Sequence, residues 1–473
     1  MKTSGSGKMS LPKEILRMTR YFRFRPGRIA AALMIACVCA LSARAQQASE
    51  PLLVMISVDG MRPDYVTEAD AHGAKVPNLR RFMREGAFAD GVAGVVPTVT
   101  YPSHTTLVTG VWPAKHGIYS NSVFDPLQKN ADGWYWYNED LRAPTLWDAA
   151  KQAGRKTASI QWPVTVGAKS IDWLIPEIWR AGTPEDAKLL RALCTPGLLA
   201  EISPKLGDYR GGFDSTPEAD ALRGKYAEWI LENKHPAILT LHLLGLDHEE
   251  HESGPFSPAS IAVLEGLDAV IGSLRETAEK VSRGHAYVAV VSDHGFAKVE
   301  NQLNLFAAFL EAKLFTLNEK GKIADWKALP WETGGSAAVV LQDPTDQATF
   351  IAVRDLLNKL AADSANGIDR VLSADELHER GGYPHASFFV GLKPGWKTVA
   401  SFSGPVVSRT AHAMGTHGEL PDLPDLRSSF FLVGPEVPAN KHLGLIDMRS
   451  IAPTLAHAAG LSLPSADGKN LLP

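Results

Sequence analysis

Three strongly apolar runs in this chain each end on Asp or His, which narrows the folds open to it more than any other feature. Leu52 to Val58 (LLVMISV) leads into Asp59. ILTLHLLGLDHEEH (238–251) leads into Asp247 and, four residues later, His251. AYVAVVSDHG (286–295) ends on the pair Asp293–His294. Short, nearly continuous apolar runs of this kind are the pattern of parallel strands buried on both faces. Open α/β sheets bind ligands outside the carboxyl ends of their strands, so three such strands predict one shared site. GTHGE (415–419) supplies a further candidate, His417. Mixed Asp/His ligation suits zinc, and six ligands suffice for two ions. Two neighbouring ions can clamp the attacking and leaving oxygens of an in-line displacement at phosphorus. The pattern therefore points to phosphoryl transfer.

The rest of the chain predicts an α/β fold, a mostly parallel central sheet with helices on both faces. Strand-like and helix-like segments alternate from residue 52 onward. Pro77 and Asn78 open a helix with Leu79, Phe82 and Met83 on its buried side. TLWDAAKQAGRKTASIQWP (145–163) reads as a helix stopped near Gly154, then a short strand. Leu222–Asn233 and Ile261–Val281 are amphipathic helices around the Asp247 run. From about 301 to 412 the candidate ligands stop. Strand patterns at 336–343 and 385–392 flank a helix pattern, Thr345–Ala362, which predicts an inserted α+β subdomain or cap. The core resumes with SSFFLVGP (428–435) and a last helix near Ile451–Gly460.

Residues 1–45 have the layout of a secretory signal peptide: Arg17, Arg20, Arg23, Arg25 and Arg28, then the apolar run Ile29–Leu41, then Ala43-Arg44-Ala45. Met18 is an alternative start. The apolar run is shorter than the roughly 20 residues a bilayer requires, so stable membrane insertion is not expected. The expected location is the periplasm, with 46–473 as the catalytic domain. Cys37 and Cys39 would leave with the leader; Cys194 then remains as a buried, unreactive thiol. The leader carries nine Lys or Arg against one Glu, so the remainder holds 39 basic and 51 acidic residues, a net charge of −12. Such a surface argues against polymeric nucleic acid as partner and leaves small phosphate esters open. The sequence does not give the oligomeric state.

VVPTVTYPSHTTLVTGVWPAKHGIYSN (95–121) resembles the nucleophile segment of the nucleotide pyrophosphatase/phosphodiesterase family, type I phosphodiesterases of the alkaline phosphatase superfamily. That family has a Thr-aromatic-Pro-Asn-His run, a Thr-Leu-x-Thr-Gly stretch, a His-Gly-Ile and an asparagine twenty-one residues after the threonine. Here the matching residues are Thr100-Tyr101-Pro102-Ser103-His104 and Asn121. LGLDHEEHESGPFSP, VSDHG and GTHGE match the remaining motifs in order. The resemblance implies an alkaline-phosphatase-like fold and two Zn²⁺ per chain, with Mn²⁺ or Fe as alternatives at one site. One ion would be held by Asp247, His251 and His417, the other by Asp59, Asp293 and His294, with Thr100 joining the ligand set as nucleophile. A phospho-threonine would form and then be hydrolysed. Asn121 and the Tyr101 backbone N–H would bind the phosphoryl oxygen, and the Tyr101 ring would help sandwich a base. Ser103 departs from the family's asparagine.

Taken singly, each piece has a plainer reading. Asp293 could cap a turn, Asp247 and His251 could pair on one helical turn, and Asn121 could be a turn residue. His104, His116, His242, His248 and His412 read as structural or exposed, with His412 the substitute should His417 fail. Trp173 and Trp179 are weak candidates for base stacking. The cluster Trp134, Tyr135, Trp136, Tyr137 suits either a leaving-group pocket or loop packing. Monoesterases of the superfamily place a cation near the phosphate. Ser159-Ile160-Gln161-Trp162-Pro163, at the comparable place, has none, which favours a diester or nucleotide. A phosphomonoesterase and a head-group transferase on the same fold are the alternatives.

Overall fold

The computed structural model describes residues 50–472 apart from 128, 130–132, 181–182, 210 and 212–213. The predicted signal peptide lies outside the described residues. Eight strands form the central sheet: β1 (Leu52–Val58), β2 (Ala87–Phe88), β3 (Thr157–Ile160), β4 (Trp173–Ile175), β5 (Ile238–Leu243), β6 (Ala286–Val291), β7 (Phe430–Val433) and β8 (Lys441–His442). Their order is β8-β2-β7-β6-β1-β5-β3-β4. β1 pairs in parallel with both β5 and β6, so every residue of all three strands is buried. The nearly continuous apolar runs follow directly: a central parallel strand has no solvent face on which to place polar side chains. β7 runs antiparallel to β6 and makes the sheet mixed at that side.

The helices cover both faces. Residues on alternate sides of β1 enter separate cores, Val54, Ile56 and Val58 in one, Leu53 and Met55 in the other. The predicted helices appear as Pro77–Glu85, Leu146–Gln152, Pro217–Lys234, Pro258–Val281 and Ile451–Ala458. Leu79 and Phe82 of the first are buried, and Met83 is half-buried.

The excursion after β6 contains more strand than its sequence suggests. Ala297–Leu303, Gly395–Thr398 and Val407–Thr416 form a three-stranded sheet. Ala328–Glu332, Ser336–Leu341, Phe388–Leu392 and Ile368–Ser373 form an antiparallel four-stranded sheet in that order. One face of the larger sheet builds an apolar core of its own from Val339, Val390, Val353 and Leu357, the last two on the helix Gln347–Ala362. Ala338 and Phe389 on the other face pack with Val96 and Tyr119, which flank the Thr100 segment. Val407–Thr416 carries Arg409 and His412 within mixed polarity, which hides its strand character from hydropathy alone.

Candidate functional site

The carboxyl edge of β1, β5 and β6 gathers the predicted residues. Asp59 follows β1 directly, and its N–H donates to Leu243 O at 3.0 Å, continuing the ladder past the strand end. The next residue turns with φ 75°; a Cβ there would lie 2.8 Å from Glu250 Oε2, so Gly60 is required twice over. Asp247 and His251 lie on a helix, α1 (Gly245–Ser253), that begins two residues beyond β5. The two sequence readings of this pair therefore combine: it is an i, i+4 pair on a helix that starts at the sheet edge. Buried Asp220 fixes the start of α1, accepting from the N–H groups of Leu244 (3.2 Å) and Gly245 (2.7 Å). Arg223 in turn holds Asp220 at 2.6 Å. His417 follows the strand Val407–Thr416, and Thr98 anchors it: Thr98 Oγ1 donates to Glu419 O and accepts from Gly418 N.

All three ligand-candidate histidines are aimed the same way. The Nδ1 atoms of His251, His294 and His417 face the carbonyl oxygens of Gly415 (3.3 Å), Gly295 (3.1 Å) and Thr98 (3.1 Å). A carbonyl accepts, so Nδ1 carries the hydrogen and Nε2 is left as the ligand atom. The Nε2 of His294 lies 3.3 Å from Asp59 Oδ1 and 3.2 Å from Asp293 Oδ2. The Nε2 atoms of His251 and His417 each lie 3.6 Å from Asp247 Oδ1.

Two groups among the described residues bring their ligand atoms within 4.8 Å of one another: Asp59, Asp293 and His294, and Asp247, His294 and His417. The first is the predicted triad. In the second, His294 stands where His251 was expected; His251 reaches Asp247 but lies outside the compact set. The rings of His294 and His417 stack at 3.7 Å, which brings the two groups together.

The donor set fits metal ions. Asp59 Oδ1, Asp247 Oδ1, Asp293 Oδ2 and His294 Nε2 are buried without a hydrogen-bond partner, and they converge. Ligands about 2.0–2.2 Å from a tetrahedral zinc sit roughly 3.3–3.6 Å from each other, which matches the separations above. Burial first, and Asp247 next, raises the pKa of Asp59 well above the usual carboxylate range. Burial and then Asp59 do the same to Asp293. Burial pushes His417 down to about 4, and burial followed by His417 lowers His294. Carboxylates raised and imidazoles lowered in one cluster mark a place where only an added cation makes the charged acids and neutral histidines favourable together.

Thr100 begins a wholly buried helix, α2 (Thr100–Thr109). That helix is polar inside because its side chains bond back along it: Thr105 Oγ1 to Tyr101 O and Thr109 Oγ1 to Thr105 O, both at 2.7 Å. Its first turn sets the positive end of the helix dipole beside Thr100, a setting suited to an anion, while Pro102 has no N–H and those of Tyr101 and Ser103 are taken by Asn121 Oδ1 and Val99 O. Asn121 Nδ2 lies 3.5 Å from Thr100 Oγ1, and Asn121 Oδ1 accepts from Tyr101 N–H at 2.9 Å. That bond turns the amide so that its NH₂ faces Thr100, and it occupies the N–H expected to meet a phosphoryl oxygen.

A cavity of about 290 Å³ opens on Thr100, Asn121, Asp59, Asp247, His251 and His417. Its other wall includes Trp134 and Trp179, stacked at 5.3 Å. Tyr101 is fully buried, its ring 5.4 Å from Trp134 and outside the cavity lining. His248 lines the cavity and His412 is exposed. His116 is buried and pushed down to about 3 by burial. Cys194 is buried, its thiol pushed up to about 12 by the same cause.

Two of the histidines read as structural or exposed, His104 and His242, are buried behind the ligand candidates, together with Glu177, which sequence reasoning did not single out. His104 Nδ1 lies 2.9 Å from Thr100 O and 3.4 Å from Asp293 Oδ2. His242 Nε2 lies 3.0 Å from Asp59 Oδ2, and its Nδ1 lies 2.9 Å from Glu177 Oε2. A signal existed for His242, an ionisable side chain inside an otherwise apolar strand run. Glu177 gives none, since a lone acid after a short strand is common.

The type I phosphodiesterase / nucleotide pyrophosphatase family profile matches residues 53–419. The chain belongs to this family. Human bis(5'-adenosyl)-triphosphatase ENPP4 is 22% identical over 424 residues, 87% of this chain and 78% of the relative. Human ectonucleotide pyrophosphatase/phosphodiesterase family member 1 is 23% identical over 259 residues, 52% of this chain and 23% of that longer relative. The structure of human ectonucleotide pyrophosphatase/phosphodiesterase 5 superposes with a TM-score of 0.63 at 20% identity, covering 89% of this chain and 97% of the other. The family's fold is thus shared through the excursion as well as the core. No helix among the described residues is long and apolar enough to cross a membrane.

Proposed function

We propose that this member hydrolyses phosphate diesters or pyrophosphate-linked nucleotides through a phospho-threonine, with two metal ions, zinc by the chemistry of its ligands. The observation that carries this reading is the shared cavity: Thr100, Asn121 and ligands from both groups line one space into which unpartnered ligand atoms converge. Bound there, the ions would lower the pKa of the Thr100 hydroxyl and offset charge on the leaving oxygen.

The chain's own residues supply the rest. Thr100 Oγ attacks phosphorus, and the bond to the leaving group breaks on the opposite side. Asn121, its amide oriented by Tyr101 N–H, donates to a non-bridging oxygen where charge accumulates, aided by the N-terminus of α2. Water then cleaves the phospho-threonine and regenerates the hydroxyl. Among the described residues lining the cavity there is no Lys or Arg, so a monoester dianion would lack a compensating side chain. That favours the diester over the monoester. A bis(5'-adenosyl)-triphosphatase among the relatives is in keeping with a nucleotide substrate. The Arg-rich leader supports export to the periplasm.

The test uses metal-loaded protein on bis(p-nitrophenyl) phosphate, p-nitrophenyl phosphate and thymidine 5'-p-nitrophenyl phosphate, with and without EDTA. The expected result is EDTA-sensitive preference for the two diesters, abolished in Thr100→Ala with metal content retained. Preference for the monoester, or full activity without Thr100, overturns the reading.

A further inference from the structure

The cavity's aromatic wall and the metal-ligand cluster are joined by a buried chain of hydrogen bonds. Asp59 Oδ2 lies 3.0 Å from His242 Nε2. His242 Nδ1 lies 2.9 Å from Glu177 Oε2 and 3.2 Å from Gln161 O. Trp179 Nε1 donates to Glu177 Oε1 at 2.9 Å. Trp179 lines the cavity and stacks on Trp134, which in turn covers the Tyr101 ring. Glu177 and His242 are fully buried, and Asp59 is nearly so.

The chemistry of the chain fixes its direction. Both neighbours of His242 Nδ1 are oxygen acceptors, so Nδ1 carries a hydrogen. The indole nitrogen of Trp179 is a donor only. Glu177 therefore receives two donors, one on each oxygen, a task for an acceptor-only carboxylate. A glutamine of the same shape would serve one donor and set its own NH₂ against the other. At the far end, Nε2 and Asp59 Oδ2 share one proton. That bond occupies Oδ2 and leaves Oδ1 as the unpartnered atom aimed at His294 Nε2. Topology allows this arrangement because Gln161, Glu177, His242 and Asp59 come from β3, β4, β5 and β1, four neighbouring strands with the same direction, at or just beyond their carboxyl ends.

We propose that Glu177 is a positioning residue that, through His242, sets the orientation of the Asp59 carboxylate together with that of the Trp179–Trp134 wall, so that the place where a substrate's non-reacting group packs is coupled to the ion-binding cluster. The inference builds on the two-metal reading of the site. Hydrogen-bonded carboxylate–histidine pairs behind metal ligands commonly change metal affinity by about 10–100-fold when broken. Here the same carboxylate also holds a wall residue that is itself no ligand.

The experiment measures zinc affinity by competition with a chromogenic chelator in the full chain, for wild type, E177Q, W179F and the double variant. W179F keeps an aromatic wall and removes the indole donor to Glu177. The expected result is a roughly tenfold weakening at one of two sites in E177Q, a smaller weakening in W179F, and no further loss when W179F is added to E177Q. In parallel, W179F should raise KM for an aryl diester with little change in kcat. Zinc affinity in E177Q equal to wild type overturns the proposal, as does an additive effect of the two substitutions. Thermal melting of the metal-free variants checks that each folds; should E177Q fail to fold, non-additivity between W179F and His242→Gln replaces it. Zinc binding is read without substrate. Inactivity of wild-type protein on every phosphate ester would overturn the hydrolase reading alone and leave the coupling to stand or fall on affinity.

Discussion

The two ligand groups are built from the same residue types and differ in how they are enclosed. Asp59, Asp293 and His294 have side chains at 4%, 0% and 0% exposure. Asp247 and His251 stand at 19% and 40%. The closed group sits directly over β1 and β6, and every member has a buried partner behind it: His242 for Asp59, His104 and Gly60 N–H for Asp293, Gly295 O for His294. The open group rides on the helix α1 and on the end of a strand of the excursion, with the cavity on its other side. Position in the sheet thus separates a framework half from a half that meets solvent and substrate. His294 Nε2 lies within reach of both groups and, with Nδ1 turned to Gly295 O, has one lone pair to offer to either.

The largest expected effect comes from breaking the closed half. Asp293→Ala should lower kcat/KM about a thousandfold or more, since a lost ion forfeits roughly 4 kcal/mol or more of transition-state stabilisation. His251→Ala should cost less, on the order of 10–100-fold, and much of that should return at raised zinc concentration. Steady-state kinetics against zinc checks both. Equal losses without metal rescue would erase the distinction between the halves.

Chelation sharpens the comparison more gently. EDTA should remove metal in two phases, the faster from the side of Asp247, His251 and His417, followed by zinc release to a fluorescent indicator. A single phase would show that the halves release together and erase the distinction.

The smallest effect is on stability against pH in metal-free protein. Burial holds Glu332 and Glu419 up to about 8 against an ordinary 4.5. The folded chain therefore keeps protons that the unfolded chain has released, and stability falls as pH rises between those values. His417, pushed down to about 4 from 6.5, acts oppositely: stability falls as pH drops through that interval. Above pH 6.5 the histidine contribution fades and the acids dominate, so the melting temperature should fall towards pH 8, and Glu332→Gln should flatten the slope. Metal loading should remove the share due to Asp59 and Asp293, whose pKa values burial also raises. A melting temperature that rises over this range would contradict the burial of these carboxyls.

The strands that carry the site were legible because central parallel strands cannot hide their composition: β1, β5 and β6 are apolar but for Ser57, Thr240, His242 and the hydroxyl of Tyr287. The ligand residues were legible for the same reason, as polar groups at the ends of those runs. The excursion was legible in part: the strand patterns at 336–343 and 385–392 and the helix between them appear as Ser336–Leu341, Phe388–Leu392 and Gln347–Ala362, whereas strands such as Val407–Thr416, partly exposed and mixed in polarity, were not. Base stacking by Tyr101 was expected from its place beside Thr100, yet the fold buries that ring and presents Trp134 and Trp179 to the cavity.

By itself, then, the sequence determined the class of fold, the edge of the sheet that binds, and the residue types available there. Hydrophobic periodicity and the local ends of apolar runs are short-range properties, written in consecutive residues. Only the tertiary structure decided that His294 is shared between both groups, that Asn121 is turned by Tyr101 N–H, and that Glu177 reaches Asp59 through His242. Those contacts join residues far apart in the chain, Asp59 to His242 (183 positions) and Asp59 to His294 among them, and they depend on strand order and on side-chain direction, neither of which any local stretch of sequence encodes.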